Sequence, residues 1–486
     1  MQTLASLIKV NKEDKLPVYL QLSAQLMELI KQGILPGGTK VLSSRTLAAL
    51  VHVNRSTIVK AYAELEIQGW FETHSGKGTF VSSHIQELSK PKKNRPEIFV
   101  NPLKHAGFKI PRMPILEKPV LASIPGLHLD DGFPDARLAP LTELSRAYRT
   151  QLLTGNLYSK LGYSETKGSL RLREQLSIYL NATRGLKTNP ENILIVRGAM
   201  MGFYLMVQAL LKVSDHIILS RSGWIAARMA AEQSGVRISY VDVDEYGLDV
   251  DQIERICEQG PIRMVYVTSH HHYPTTVALR PDRRIKLLRL AEKFGFILFE
   301  DDYDYEFHYA NQPLLPLAGA DHSGMVIYCG SFSKTIAPAF RLGYLVGPED
   351  AIEHLARYRR IIDRQGDAML ENAMAEMLEF GFVQRHLRKS MNIYRQRRDI
   401  FCGLLNSELN DYVKFRVPDG GLAVWTGFDP EIDLTKLSTI AASKGLKISD
   451  GKYLGVDHFS RLGFASSTPD ELQKSIDILK KALRSR

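Results

Sequence analysis

The stretch "GSFSKTIAPAFRLGY" (Gly330–Tyr344) follows directly on the apolar run "MVIYC" (Met325–Cys329). It carries one lysine, Lys334, among small and hydroxyl-bearing residues, with Arg341 seven positions on. A short apolar run bounded by glycine reads as a buried strand. The lysine therefore falls just beyond a strand's carboxyl end, where open α/β sheets collect their ligands. Upstream, "NILIVRG" (192–198), "HIILS" (216–220), "MVYVTS" (264–269) and "FILFEDD" (296–302) repeat the pattern, separated by segments with helical spacing. This alternation predicts an α/β domain with a mixed, largely parallel sheet and helices on both faces.

A chain of 486 residues exceeds what one hydrophobic core organises, roughly 250–300 residues, so a second domain is expected. Hydrophobic residues at 44% and charged residues at 24% fit a globular protein. Cys257, Cys329 and Cys402 lie far apart and have no ligand-like spacing, which supports neither a disulfide framework nor a zinc cluster and points to a reducing cytoplasm. The first residues lack a signal-peptide core, and no run reaches the ~18 apolar residues of a membrane helix, so no membrane partner is expected. The net charge of +10 is uneven: residues 1–115 hold sixteen Lys and Arg against eight Asp and Glu. Nucleic acid is the partner that such a basic segment suggests.

Within that segment, Leu22, Leu26, Leu29 and Ile30 recur at helical spacing before a Pro-Gly-Gly break. Two shorter helices follow in "SSRTLAALVHVNRSTIVKAYAELEIQGWF", capped by Ser43 or Ser44 and by Asn54, the second closed by Gly69. This is a helix-turn-helix. Its second helix opens on Arg55, Ser56 and Thr57, with Lys60 a turn later, side-chain types that reach base edges and phosphates. Ile58, Tyr62 and Leu65 are expected to face inward. "WFETHSGKGTFVSS" reads as a two-stranded wing with Lys77 in its turn. From residue 83 to about 115, scattered prolines and the cluster Lys90, Lys92, Lys93 and Arg95 have the composition of a basic, flexible linker.

The segments after the predicted strands form a chemical set. "RGAMMG" offers a glycine turn at a helix start, which suits a phosphate. "RSGWIAAR" offers Trp224 as an aromatic platform. "EDDYDYEF" offers Asp301, Asp302 and Tyr303; "SFSKTIAPAFR" offers Lys334 and Arg341; "HFSRLGFA" offers Arg461. A phosphate cradle, a flat aromatic, a carboxylate, a phenol and a lysine are together what pyridoxal phosphate needs: an amine for its aldehyde and an anion for its pyridine nitrogen. The triplet His270–His272 invites a metal, but side chains on an extended chain alternate between faces. No metal is expected there; His271 or His272 is expected to line the ligand pocket.

"SSRTLA", "NRSTIVKAYAELEIQGW" and "GKGTFV" resemble, in order and spacing, the GntR superfamily of bacterial winged-helix repressors over residues 16–82. The resemblance implies DNA contacts from Arg45, Arg55, Ser56, Thr57, Lys60, Lys77 and Gly78. From about residue 120 to the end, the chain resembles fold-type I, class I/II aminotransferases. That implies Lys334 as the Schiff-base lysine, Asp301 as the pyridinium partner, Tyr303 on the cofactor's phenolic oxygen and Trp224 stacked on its ring. Gly198, Ala199, Met200, Ser331, Ser333 and Arg341 would surround the phosphate, with Tyr163 reaching it across a dimer interface. Arg461 would bind an effector's α-carboxylate, with Tyr273 and His272 beside it. The chain departs from aminotransferases at Tyr273, which replaces an asparagine that bonds the cofactor, and at Ala199 and Met200 in the phosphate loop.

The joined halves resemble the MocR-type regulators. The division implied is a winged helix-turn-helix at 1–82, a linker at 83–115 and an aminotransferase-like domain at 116–486. The function implied is a transcriptional regulator that binds an operator as a homodimer, in that family often domain-swapped. It would sense pyridoxal phosphate, an amino compound, or both, through an aldimine at Lys334, with at most a residual half-reaction. An active class I/II aminotransferase carrying a DNA-binding domain remains the alternative, and a cofactor-free scaffold a third.

Overall fold

The computed structural model describes residues 7–85, 104–117, 126–156, 158, 161–309 and 314–485. The chain divides into two compact units, Met1–Pro111 and Arg112–Arg486. In the first, α1 (Val18–Lys31), α2 (Ser44–Leu50) and α3 (Arg55–Ile67) precede the antiparallel hairpin of β1 (Phe71–His74) and β2 (Gly78–Val81). Leu22, Leu26, Leu29 and Ile30 of α1 are buried in one cluster with Ile58, Ala61, Tyr62 and Leu65 of α3. Each is spaced to keep one helical stripe inward. The helix starts are set by caps: Ser43 Oγ accepts from the Thr46 N–H at 3.1 Å, and Asn54 Oδ1 accepts from the Ser56 N–H at 3.0 Å. Gly69, at φ +76°, turns the chain out of α3 into β1. Replacing Asn54 with alanine removes an acceptor worth about 1 kcal/mol. Amide exchange in α3 is then expected to rise about fivefold, and an unchanged rate would show that the cap does not hold the helix.

The strands of the second unit are, in chain order, β3 (Leu127–Leu129), β4 (Ile193–Val196), β5 (His216–Ser220), β6 (Arg237–Val241), β7 (Val243–Asp244), β8 (Gly247–Leu248), β9 (Met264–Val267), β10 (Ile297–Asp302), β11 (Val326–Ser331), β12 (Gly343–Val346), β13 (Val413–Phe415), β14 (Ala423–Phe428), β15 (Leu446–Ile448) and β16 (Phe459–Gly463). Seven of them form the main sheet in the order β4-β12-β11-β10-β9-β5-β6. Only β12 pairs antiparallel with its neighbours in that sheet. The mixed, largely parallel sheet expected from the alternating runs is thus present.

Period-two alternation sends β4 to both faces. Ile193 and Ile195 enter a cluster with Leu172, Leu176 and Met374. Leu194 and Val196 enter another with Phe203, Met206 and Leu355. Helices cover both faces, and the all-apolar strands follow from that double burial. The smaller antiparallel sheet β13-β14-β16 carries Arg461 opposite Trp425. Among the described residues, no helix is long and apolar enough to cross a membrane.

Candidate functional site

In the first unit, Arg45, Arg55, Ser56, Lys60, Lys77 and Gly78 are exposed and Thr57 is half-buried. Arg55 Nε lies 3.5 Å from Ser44 Oγ, and Lys60 Nζ stands 4.1 Å above the Tyr19 ring. Sequence reasoning passed over Lys40, which bridges to Phe80 of the wing. An added Cβ at Gly78 would stand 3.0 Å from its Cε. Only its pairing with β2 marks Lys40, and no local signal announces it.

In the second unit, register brings four loops to one edge. Ser331 pairs with Gly343 and Gly343 with Val196, while Asp301 pairs with Cys329. The carboxyl ends of β4, β10 and β11 therefore adjoin the start of β12. Gly198 opens a helix (Gly198–Leu210) directly after β4 at φ +79°, and an added Cβ would stand 2.8 Å from Arg341 Nη2. Gly343 is equally constrained, with Gly198 Cα and Gly330 O both 2.9 Å from an added Cβ. Arg341 donates from Nη2 to the Arg197 carbonyl at 3.0 Å, and Ser331 Oγ accepts from the Ser333 N–H at 3.0 Å. A helix N-terminus, two hydroxyls and a guanidinium gathered around close-packed glycines suit a phosphate. Ala199 is half-buried beside them, while Met200 is exposed.

Neighbouring acids at the end of β10 part company by alternation. Asp302 accepts from the Tyr328 hydroxyl at 2.8 Å. Asp301 accepts from the Tyr266 hydroxyl through Oδ2 at 2.7 Å, and its Oδ1 is buried with no partner among the described residues. Burial pushes the Asp301 carboxyl up to about 6, against the pull of the Tyr266 bond. Tyr266 also lines a cavity with Trp224, Tyr240 and Tyr453. Tyr303, whose hydroxyl donates to the His271 carbonyl at 3.1 Å, meets the Tyr273 ring edge-on at 6.2 Å.

Lys334 Nζ donates to the Gly132 carbonyl at 2.8 Å and lies 4.3 Å over the Phe133 ring. Burial pulls the ammonium below its ordinary range, which favours the neutral, nucleophilic amine. The segment Asp130–Phe133, which sequence reasoning passed over, is shaped by Asp130: its Oδ1 accepts from the Gly132 and Phe133 N–H groups at 2.8 and 2.9 Å. Three acids close around a glycine in "LDDGFPD" are its only local signal. Arg461 is 1% exposed; Nε donates to the Asp131 carbonyl at 3.2 Å and Nη1 to the Pro274 carbonyl at 2.8 Å. Tyr273 donates its hydroxyl to Asp131 Oδ2 at 2.8 Å. His272 bonds Thr275 through Nδ1 at 2.8 Å, and burial, aided by Arg461, pulls its imidazole down to about 3. Tyr163 is 80% exposed under the Arg364 guanidinium, and no hydrogen bond or ring contact joins it to Lys334 among the described residues.

Alternation does not hold along the triplet, which lies beyond the end of β9: the His270 and His271 rings meet edge-on at 4.8 Å, and His270, His271 and His308 bring one nitrogen each within 4.8 Å of one another. His308 arrives from beyond β10, which the triplet alone does not reveal. Asp304 bonds His271 Nδ1 at 2.9 Å, and an added Cβ at Gly420 would collide with His271 Nε2. The glycine backbone packs in front of that nitrogen.

A winged helix-turn-helix followed by a doubly covered sheet with a buried acid, a lysine and a phosphate-type turn at one edge defines a DNA-binding regulator built on an aminotransferase fold. Residues 18–81 match the gntR family of bacterial regulatory proteins and residues 139–479 match aminotransferase class I and II. The uncharacterized HTH-type transcriptional regulator YdfD of Bacillus subtilis is 30% identical over 96% of each chain. The probable rhizopine catabolism regulatory protein MocR of Rhizobium meliloti is 25% identical over 98% of this chain and 96% of its own. Pyrococcus horikoshii kynurenine aminotransferase superposes with a TM-score of 0.69 at 25% identity, over 74% of this chain and 91% of that one. The chain belongs to the MocR-type HTH transcriptional regulators, which join a GntR helix-turn-helix to a class I and II aminotransferase domain.

Proposed function

We propose that this regulator holds pyridoxal phosphate at Lys334 and couples the occupancy of that site to operator binding. The observation that carries this reading is the place of Asp301: it bonds Tyr266, which lines a cavity with Trp224, and its Oδ1 is buried with no partner among the described residues. A buried carboxylate oxygen with no donor is costly, and a protonated pyridine nitrogen is the donor it lacks. The glycine-walled turn of Gly198 with Arg341, Ser331 and Ser333 suits the phosphate. Trp224 would stack on the ring and Tyr303 would bond its phenolic oxygen. Bound through its aldehyde, the cofactor supplies an electrophilic carbon that an incoming amine can take over from the lysine. Lys334, whose ammonium form burial disfavours, is the amine that would hold and yield that carbon. Operator binding responds only if the ligand prefers one arrangement of the protein over another.

The working form would be a cytoplasmic homodimer, with Tyr163 exposed to complete the partner's site. Residues 1–82 would read DNA, 83–115 link, and 116–486 sense; the basic cluster from Lys90 to Arg95 lies outside the described residues. The test adds pyridoxal phosphate and then amines to the purified protein while following operator binding. A shift in DNA affinity without sustained keto-acid formation supports the regulator. Steady keto-acid production with unchanged DNA affinity would establish the aminotransferase instead, and no absorbance band from lysine-bound cofactor would leave a scaffold.

Asp301 also gives this reading a pH signature. Its carboxyl is raised to about 6, so it is neutral below that pH and anionic above it. Only the anion pairs with a protonated pyridine nitrogen. Cofactor affinity is therefore expected to rise about tenfold between pH 5 and 7, and Asp301→Asn should flatten that rise while weakening binding throughout. A rise of equal size in the asparagine variant would assign it to another group.

A further inference from the structure

The arginine that the resemblance assigns to an effector's carboxylate already has a carboxylate of its own. Asp131 Oδ1 lies 3.5 Å from Arg461 Nε, with the arginine side chain 1% and the aspartate side chain 10% exposed. Tyr453 donates its hydroxyl to Oδ1 at 3.2 Å, and Tyr273 donates to Oδ2 at 2.8 Å. Two phenols and a guanidinium hold this side chain, and the arginine fork is further engaged by the Asp131 and Pro274 carbonyls. The pair is built into the site.

Its position relative to the reacting lysine gives it a role. Lys334 Nζ bonds the carbonyl of Gly132, the residue after Asp131. Any amine that takes over from Lys334 must extend its substituents beside this segment. An α-carboxylate delivered to Arg461 would put two carboxylates on one guanidinium inside a site with little water, and like charges so placed disfavour each other strongly. An amine without a carboxylate meets a neutral ion pair instead. A hydroxyl or second ammonium on that amine can donate to Asp131, as the tyrosines do.

We infer that Asp131 occupies the carboxylate position of the effector site and makes this protein selective for amines that lack a carboxylate, among them diamines and amino alcohols. This rests on the proposed binding of pyridoxal phosphate at Lys334. Burial pushes the Asp131 carboxyl up, and Arg461, Lys334 and the two tyrosine hydroxyls oppose that push; a protonated Asp131 would still fill the place but would no longer repel a carboxylate.

The full-length protein loaded with pyridoxal phosphate tests this with matched pairs: ethanolamine against serine, isobutylamine against valine, and cadaverine against lysine. The change in the cofactor's absorbance gives an apparent Kd, and a thermal shift gives a second readout. Each decarboxylated amine is expected to bind at least about tenfold more tightly than its amino acid, a difference of about 1.4 kcal/mol. Asp131→Asn is expected to shrink or reverse that ratio by removing the competing charge while keeping the tyrosine contacts. Amino acids that bind the native protein as tightly as their amines, with the lysine-bound band present, overturn this inference alone. A native protein that forms no such band overturns the cofactor reading and this inference with it. The native panel decides the question even if the asparagine variant fails to fold.

Discussion

Lys334→Ala is expected to abolish covalent retention of pyridoxal phosphate while leaving the protein folded. The lysine donates one hydrogen bond, to the Gly132 carbonyl, and its ammonium lies over the Phe133 ring. Their loss costs on the order of 1–2 kcal/mol, which a two-unit protein with extensive cores tolerates. The covalent link, in contrast, has no substitute. Borohydride reduction followed by intact-mass measurement should add a phosphopyridoxyl group to the native chain and none to the variant. Noncovalent binding by the phosphate loop and Asp301 should survive in weakened form, visible as free-aldehyde absorbance that dialysis removes. An adduct of equal yield in the variant would place the reactive amine elsewhere. An operator affinity that ceases to respond to amines in the variant, with its basal value kept, would tie sensing to this one side chain.

The second large effect concerns the recognition helix. Arg55 and Lys60 are exposed on α3 and hold no buried partner. Removing both charges should lower affinity for duplex DNA about 100-fold near physiological salt, the combined cost of one base-edge or phosphate contact and one phosphate contact. The slope of log affinity against log salt should fall by about one if Arg55 meets a base edge and by about two if it meets a phosphate, one for each phosphate charge no longer neutralised. Anisotropy titrations at several salt concentrations measure both quantities. An unchanged slope would mean that neither side chain touches the backbone, whatever happens to the affinity. Stability should move little, since the substitutions remove only the exposed Arg55–Ser44 bond and the stacking of Lys60 on Tyr19.

Much of the architecture was legible because its signals are local. Ile58, Tyr62 and Leu65 announce the inward face of α3 by spacing alone, and Asn54 announces its start. The five apolar runs announce strands because both faces of that sheet are covered, which leaves no polar positions to confuse the pattern. Post-strand location then pointed to Gly198, Asp301, Lys334 and Arg341. Register, a regular property of sheets, sets the strand ends that precede these residues side by side, and it packs Gly198 against Arg341.

What eluded the sequence depends on pairing across long separations. Nothing in "EDDYDYEF" distinguishes Asp301 from Asp302. The pleat decides, by turning one toward Tyr266 and the other toward Tyr328. The histidine triplet misled for a related reason. Two of its residues, His270 and His271, turn their rings onto one another instead of alternating, and packing brings His308 to them, which no rule about an extended chain anticipates. Asp131 is the largest omission. In the sequence it is one acid in a loop, 330 residues from Arg461.

The sequence by itself determined the two-part plan and the strand and helix types, and it singled out Lys334 as the candidate lysine, because periodicity, capping and position after a strand are properties of neighbouring residues. Only the tertiary structure decided which tyrosine each carboxylate of β10 meets, which histidines meet, and that Arg461 is already paired. Those are contacts between distant segments, fixed by how the sheets and helices pack.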